Sequence, residues 1–278
     1  MNVVRAAQAK DRERILGICR DVWDGHDYVP RVLDDWLANK EMGTLLVLEA
    51  DGVVRGLCRV TRFSSTEGWL EGLRVETGYR GRGYARDLTE ASLDAARKMG
   101  FMSVRCSTYR ENVESRHILE SFGFATAARF QLFERVLRPA EISEEGLCPG
   151  DQVFRVQGSC FFRLARGLLP MGWQFPSWDA VRREVGHRLR VVCLDSGLLV
   201  VDTCSPGTTL NVCLWDGRSD AERVNAWLDG FGASAGYSHV LAMVPQGHWL
   251  QLVLPDLGWT AWNEPGAPDV FVSRRSLE

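Results

Sequence analysis

No run of this chain approaches the roughly 18 uninterrupted apolar residues that a membrane-spanning helix needs. The opening residues, Met-Asn-Val-Val-Arg-Ala-Ala-Gln, contain no apolar signal core, so a cytoplasmic location without membrane attachment is expected. There is no excess of basic charge. Lys and Arg number 33 against 36 Asp and Glu, for a net charge of -3, which argues against general binding to nucleic acid or anionic membrane surfaces. The eight cysteines include no Cys-x-x-Cys pair; Cys19, Cys58, Cys106, Cys148, Cys160, Cys193, Cys204 and Cys213 are scattered, several inside apolar runs. Reduced, buried thiols are expected rather than a disulfide framework, and no metal.

What is present suits a soluble globular protein: 278 residues, 45% apolar and 25% charged, a length that accommodates two domains. The most informative stretch runs from Trp69 to Met99. Trp69, Glu71, Leu73 and Val75 alternate with Leu70, Gly72 and Arg74, a strand period that puts Glu71 on the face of Leu73 and Val75. Leu88, Ala91, Ala95 and Met99 then recur at helical spacing. Between them lies Arg80-Gly81-Arg82-Gly83-Tyr84-Ala85. Glycines allow close backbone approach to a ligand, and a turn that opens a helix presents free N–H groups and positive potential. Strand, glycine turn and helix form an anion cradle of phosphate or pyrophosphate size. No Gly-Lys-Ser/Thr follows, so it is not a Walker loop, and the third glycine of the dinucleotide fingerprint is missing.

Arg80-x-x-Gly83-x-Ala85, with Val75 five residues before the arginine, resembles the acetyl-CoA pyrophosphate loop of the GNAT acyltransferase superfamily. The resemblance covers roughly residues 1 to 137. It implies a mixed, mostly antiparallel twisted sheet flanked by helices, and acetyl-CoA as cosubstrate, held by Leu73, Arg74, Val75, Arg80, Gly81, Arg82, Gly83, Tyr84 and Ala85. The backbone of Arg74 and Val75 would pair with the pantetheine arm. Glu71 stands where a carboxylate in such enzymes often takes the acceptor's ammonium proton, and an apolar strand setting would raise its pKa. Asn112 to Gly123-Phe124 is similar to the family's run around its last helix, and Asn112 is expected either to bond the pantetheine or to cap the helix. Leu119 occupies the position of the usual tyrosine proton donor, which leaves His117, Tyr109, Tyr84 or water for that role.

Periodicity and turn signals predict a short strand at Val3 to Ala6, a helix after a capping Asp11, and a second short helix starting at Pro30. A hairpin turns at Asp51-Gly52. A strand from Met102 to Ser107, a helix from Val113 to Phe122 closed by Gly123, and a strand from Ala125 to Leu137 follow. Residues 138 to 150, with acid, proline and glycine, read as a linker. In residues 151 to 278, paired strands around Ser205-Pro206-Gly207, a helix from Asp220 to Phe231, a strand from His239 to Val244, a helical stretch from Gly247 to Leu257 and two final strands repeat the order of half a GNAT domain. The matching turn, Asp216 to Asp220, lacks the cradle spacing, so this smaller α/β domain is expected to be degenerate and without its own CoA. Seven of the ten tryptophans lie there, in positions that suit core packing.

Gly25-x-Asp27-Tyr28-x-Pro30, followed by Trp36-Leu37, sits where the resemblance places the acceptor pocket wall. Together with the two-domain length it is similar to the histidine N-acetyltransferase group. Asp27 would hold an ammonium or imidazole, Tyr28 would stack on a ring, and Arg74 or Arg62 would receive a carboxylate. The expected function is transfer of an acetyl group to the amine of a small molecule or free amino acid, histidine included, by a monomer or homodimer. The alternatives are acetylation of a protein N-terminus or lysine, and a CoA-binding sensor without turnover.

Overall fold

The computed structural model describes residues 2–140, 154–185, 187–193, 197–204, 207–264 and 266–278. The chain groups into two compact units: Met1–Cys106 with Glu114–Ala125 and Arg274–Glu278, and Ser107–Val113 with Thr126–Ser273. This grouping departs from the linear division expected at residue 137. Strand residues after Ala125 belong to the second unit, and the last five residues return to the first, where the Leu277 N–H donates to the Met102 carbonyl at 2.9 Å. The expected linker lies outside the described residues from 141 onward.

In the first unit the order is β1 (Asn2–Ala6), α1 (Arg12–Cys19), α2 (Val29–Ala38), β2 (Gly43–Ala50), β3 (Val53–Arg62), β4 (Glu67–Val75), α3 (Tyr84–Lys98), β5 (Ser103–Tyr109) and α4 (Val113–Ser121). Strands β1 to β4 form an antiparallel meander, and β5 joins β4 in parallel through α3. Asp51 and Gly52 both have positive φ, 51° and 78°, the twist-compatible hairpin turn that the dipeptide encodes. The two sheet faces are sorted by strand parity. Leu45, Val47 and Leu57 pack with Ile15, Ile18, Leu33 and Trp36 of α1 and α2. Leu46, Leu48 and Cys58 pack with Tyr84 and Leu88 of α3 on the other face.

In the second unit, β6 (Ala125–Val136) is followed by three short helices, α5 (Phe154–Gly158), α6 (Cys160–Leu164) and α7 (Trp178–Val181). Then come β7 (Leu189–Cys193), β8 (Leu198–Asp202), β9 (Thr209–Asp216), α8 (Ala221–Ser234), β10 (His239–Pro245), α9 (Leu250–Val253), β11 (Thr260–Ala261) and β12 (Val270–Ser276). Strands β7, β8 and β9 are antiparallel, β10 joins β9 in parallel through α8, and β6 joins β10 antiparallel. A hairpin, a crossover helix and a parallel strand thus occur in each unit, β3–β4–α3–β5 in one and β8–β9–α8–β10 in the other.

Trp178, Trp215, Trp227 and Trp259 are buried, as core packing requires, whereas Trp173 and Trp262 are exposed, with ring centroids 5.7 Å apart. Cys19, Cys58, Cys106 and Cys213 are buried free thiols. Burial pushes Cys58 and Cys106 up to about 12. Cys193 departs from the expectation of reduced cysteine: it is disulfide-bonded. Among the described residues no helix is long and apolar enough to cross a membrane.

Candidate active site

The site is organised by an irregularity in β4. Arg59 stands opposite Glu71 and Leu57 opposite Arg74, so Gly72 and Leu73 together face the single residue Cys58. This two-against-one count is a β-bulge. Gly72 carries it with φ at +65°, and a Cβ there would come within 2.9 Å of the Trp36 ring. Only glycine satisfies both the left-handed backbone and that contact. The extra residue reverses side-chain parity, which corrects the expected alternation. Glu71 does not share a face with Leu73 and Val75. Those two pack in the α3-side cluster, while Glu71 and Arg74 lie opposite Arg59 and Leu57, on the face of α1 and α2.

The ladder between β4 and β5 is also short. It holds Glu67 with Ser103, Gly68 with Val104 and Trp69 with Arg105. Among the described residues the β4–β5 ladder ends at Trp69.

At the end of β4 the turn is held by charge. Glu76 accepts from Arg14 and, at 2.7 Å, from Arg55. The Tyr79 ring lies 3.9 Å from the Arg55 guanidinium and 4.8 Å from that of Arg82. Arg80 Nε donates to the Val75 carbonyl at 3.5 Å. Gly81 and Gly83 have φ of +75° and +84°, and a Cβ on either would meet nothing within 4 Å. Gly83 is the N-cap of α3, and it and its neighbours Arg80, Gly81 and Arg82 form an exposed basic turn at the head of a 15-residue helix. The Tyr84 side chain is buried in the α3-side cluster.

On the opposite face, Glu71 Oε1 accepts from the Thr61 hydroxyl, and Thr61 in turn accepts from Arg59 Nε at 3.0 Å. Arg59 is buried, stacks 5.1 Å from the Trp36 ring and donates to the Trp36 carbonyl. Burial lowers its pKa, while the nearby charges of Glu71 and Asp35 act in the opposite sense. Tyr28 packs edge-on against Trp36 at 6.0 Å. Burial first, and then the charge of Glu71, raises the phenol well above its usual range. Asp27, buried, is engaged by Arg74: Nε donates to Oδ2 and Nη2 to Oδ1, both at 2.9 Å. Oδ1 also accepts from the Val29 N–H. Asp27 thereby clamps Arg74. Arg62 stands apart from this set. It pairs with Gly68 and lies over Phe101, on the α3 side of the sheet.

Asn112 sits in the segment Ser107–Val113, which groups with the second unit, and its N–H closes a turn on the Tyr109 carbonyl at 3.1 Å. Leu119 is part of the hydrophobic core beside Phe101 and Phe124, so that position carries no proton donor. His117 is exposed. In the second unit, the turn that corresponds to the cradle begins with Asp216, whose carboxylate accepts from the Cys160 and Gly217 N–H groups at 2.6 and 3.2 Å. Burial opposes its charge, but His248 and the Cys160 N–H hold it below the usual carboxylate range. Among the described residues no group of three or more His, Cys, Asp or Glu is placed to hold a metal ion.

Sequence reasoning missed Thr61, Arg59 and Trp23. The first two follow from the β3–β4 register, which a strand glycine at position 72 signals as bulged. Trp23 carries an unusual backbone that composition does not reveal: it has φ 49° and ψ 49°, and Asp24 follows with φ 53° and ψ 35°.

A strand bulged at Gly72, a basic glycine turn at its end and the crossover helix that follows make up this α/β domain. Residues 11–124 match the Acetyltransferase (GNAT) family. A histidine N-acetyltransferase of Xenopus tropicalis is 38% identical over 80 residues, a match that spans 28% of this chain and 24% of that protein. A GCN5-related N-acetyltransferase structure from Sphaerobacter thermophilus aligns with a TM-score of 0.65 at 14% identity, covering 100% of this chain and 96% of the other. A structure from Thermoplasma acidophilum aligns at 0.63 and 16% identity over 99% of both chains. At such identities the likeness is one of fold.

Proposed function

We propose that the chain is an acetyl-CoA-dependent N-acetyltransferase acting on the amine of a small molecule or free amino acid. The observation that carries this reading is the bulge at Gly72. It lies between the end of the β4–β5 ladder and the cradle, and it turns Glu71 to the other face of the same strand. The cradle suits a pyrophosphate, because space that a Cβ would fill is open at Gly81 and Gly83 and Arg80 and Arg82 flank it. Acetyl-CoA, when bound, supplies an activated acyl carbon. The chain's own groups do the rest. The N–H groups at the start of α3 and the two arginines hold the pyrophosphate. The β4 edge orients the pantetheine arm as an added strand. Glu71, oriented by the Thr61 hydroxyl, takes a proton from the acceptor's ammonium and so frees the nucleophilic lone pair. With Leu119 in the tyrosine position, water is the proton donor to the leaving thiolate.

The second unit binds no CoA in this reading, since Asp216 supplies an internal anion at the turn where a phosphate would sit. The match to histidine N-acetyltransferase supports a free amino acid, histidine included, as acceptor.

Glu71→Gln keeps the side-chain shape and removes the base. Thiol release from acetyl-CoA should fall roughly 10²- to 10⁴-fold near neutrality, with part of the loss recovered at high pH as free amine accumulates. Acetyl-CoA affinity should stay unchanged. Wild-type turnover by the variant near pH 7 would remove Glu71 from the mechanism.

A further inference from the structure

Arg59 stands in β3 with its side chain buried. A buried charge is costly unless partners meet it. Its Nε donates to the Thr61 hydroxyl at 3.0 Å and its Nη1 to the Trp36 carbonyl at 3.1 Å, and the Trp36 ring lies 5.1 Å from the guanidinium carbon. Neither acceptor carries a charge. The largest charge acting on Arg59 is that of Glu71, with Asp35 of α2 next. Glu71 is its cross-strand partner in the ladder, so the two side chains leave neighbouring strands on one face.

Thr61 joins them. A hydroxyl has one proton to give and two lone pairs to receive, whereas an arginine can only donate. Arg59 Nε therefore takes a lone pair of Thr61, and the Thr61 proton goes to Glu71 Oε1. A donor fixed in this direction favours the ionised carboxylate, as does a cation nearby, while burial acts the other way. The other charged and titratable groups packed on this face do not supply the balance. Arg74 is held by both oxygens of Asp27 at 2.9 Å. Cys19 of α1, beside Asp27, is pushed up to about 12 by burial. Tyr28 is raised well above its usual range, so both are neutral at pH 7.

We infer that Arg59 is a positioning residue for the acetyl transfer: through Thr61 it holds Glu71 ionised and aimed, so that the base is ready below neutral pH as well as at it. The inference rests on the acetyltransferase reading and deepens it by naming what regulates the base. It also accounts for a cation at a buried strand position. A methionine would fill the volume without the desolvation penalty, but Glu71 would then take up a proton from water before an acceptor arrived.

The test titrates Glu71 directly, by carbon NMR of carboxyl-labelled glutamate on the full chain, with the resonance assigned by its loss in Glu71→Gln. Arg59→Met keeps most of the stem and removes the charge, and the Glu71 midpoint should rise by about 1–3 pH units. The acid limb of kcat/KM for the acceptor amine, followed by thiol release, should move up by the same interval. Arg59→Lys retains the cation without the fork and should restore most of the wild-type midpoint. A merely structural Arg59 would lower thermal stability in both variants and leave midpoint and acid limb in place. Thr61→Val is the second variant, for the case that Arg59→Met does not fold. Loss of the relay hydroxyl should raise the midpoint in the same direction and lower kcat about 10- to 150-fold, the value of a hydrogen bond to a charged group, with acetyl-CoA affinity unchanged. A Glu71 midpoint that stays put in folded Arg59→Met, or in Thr61→Val, overturns the inference and leaves the acetyltransferase reading standing. Absence of thiol release by the wild type with every amine overturns both.

Discussion

Gly72→Ala is the sharpest test of the structural argument, because two separate costs meet at one atom. The added Cβ would lie 2.9 and 3.0 Å from Cη2 and Cζ3 of Trp36, with φ at +65°. A left-handed non-glycine residue costs roughly 1–2 kcal/mol, and forcing a methyl into a packed core costs about 1–3 kcal/mol more. The sum is about 2–5 kcal/mol. Gly83→Ala is the internal control. Its φ is +84° and nothing lies within 4 Å of the built Cβ, so it bears the backbone cost alone. Both replacements restrict the unfolded chain equally, so that gain cancels in the comparison. Guanidinium chloride unfolding, followed by tryptophan fluorescence, should show Gly72→Ala less stable than Gly83→Ala by about 1–3 kcal/mol at similar slope. Turnover should fall with it, because the bulge sets which face Glu71 and Arg74 occupy. Equal destabilisation by the two replacements would refute the claim that the bulge is packed against Trp36.

Two further outcomes are expected. Gly83→Val should abolish acetyl-CoA binding in calorimetry while the wild type binds one equivalent per chain; a second equivalent, or unchanged affinity in the variant, would place the cradle elsewhere. Asp11, expected as a simple helix cap, instead accepts from the Gln8 N–H and from both Arg5 terminal nitrogens at 2.7 to 2.9 Å, and Arg5 lowers its pKa against the opposing effect of burial. A depressed folded-state pKa gives stability that is present above the ordinary carboxylate value of about 3.9 and lost as pH falls through the folded value. Asp11→Asn should therefore be less stable than wild type at pH 7 by about 1–3 kcal/mol, a gap that closes as pH falls through the folded-state value. A pH-independent gap would assign Asp11 a packing role only.

Much of the first unit was legible because each local signal agreed with the next. Asp51-Gly52, Pro30, Gly123 and the spacing of Leu88 to Met99 each mark a boundary that the structure keeps. The second unit's hairpin and crossover helix were equally visible. Its short helices at Phe154, Cys160 and Trp178, and the strand at Leu189, were not, since four or five residues are too few to establish a period. The cradle was readable from spacing, because backbone geometry there is dictated by glycine. The opposite face was misread because strand alternation assumes a regular ladder. One extra residue at Gly72 inverts every assignment after it, which moved Arg74 to the side of Glu71. The partner of Asp27 was hidden for a different reason: a carboxylate seen in sequence carries no sign of the arginine that folding brings to it from 47 positions away.

Strand β4 is paired with β3 along its length and with β5 only as far as Trp69, which also bears on how molecules behave in crowded solution. Bulges and inward-pointing charges are the devices by which proteins keep strands from pairing with another chain. The bulge at Gly72 and the charges of Glu71 and Arg74 stand in the stretch beyond Trp69. A variant that neutralised both charges would accordingly be judged by its solubility and shelf life as much as by its rate.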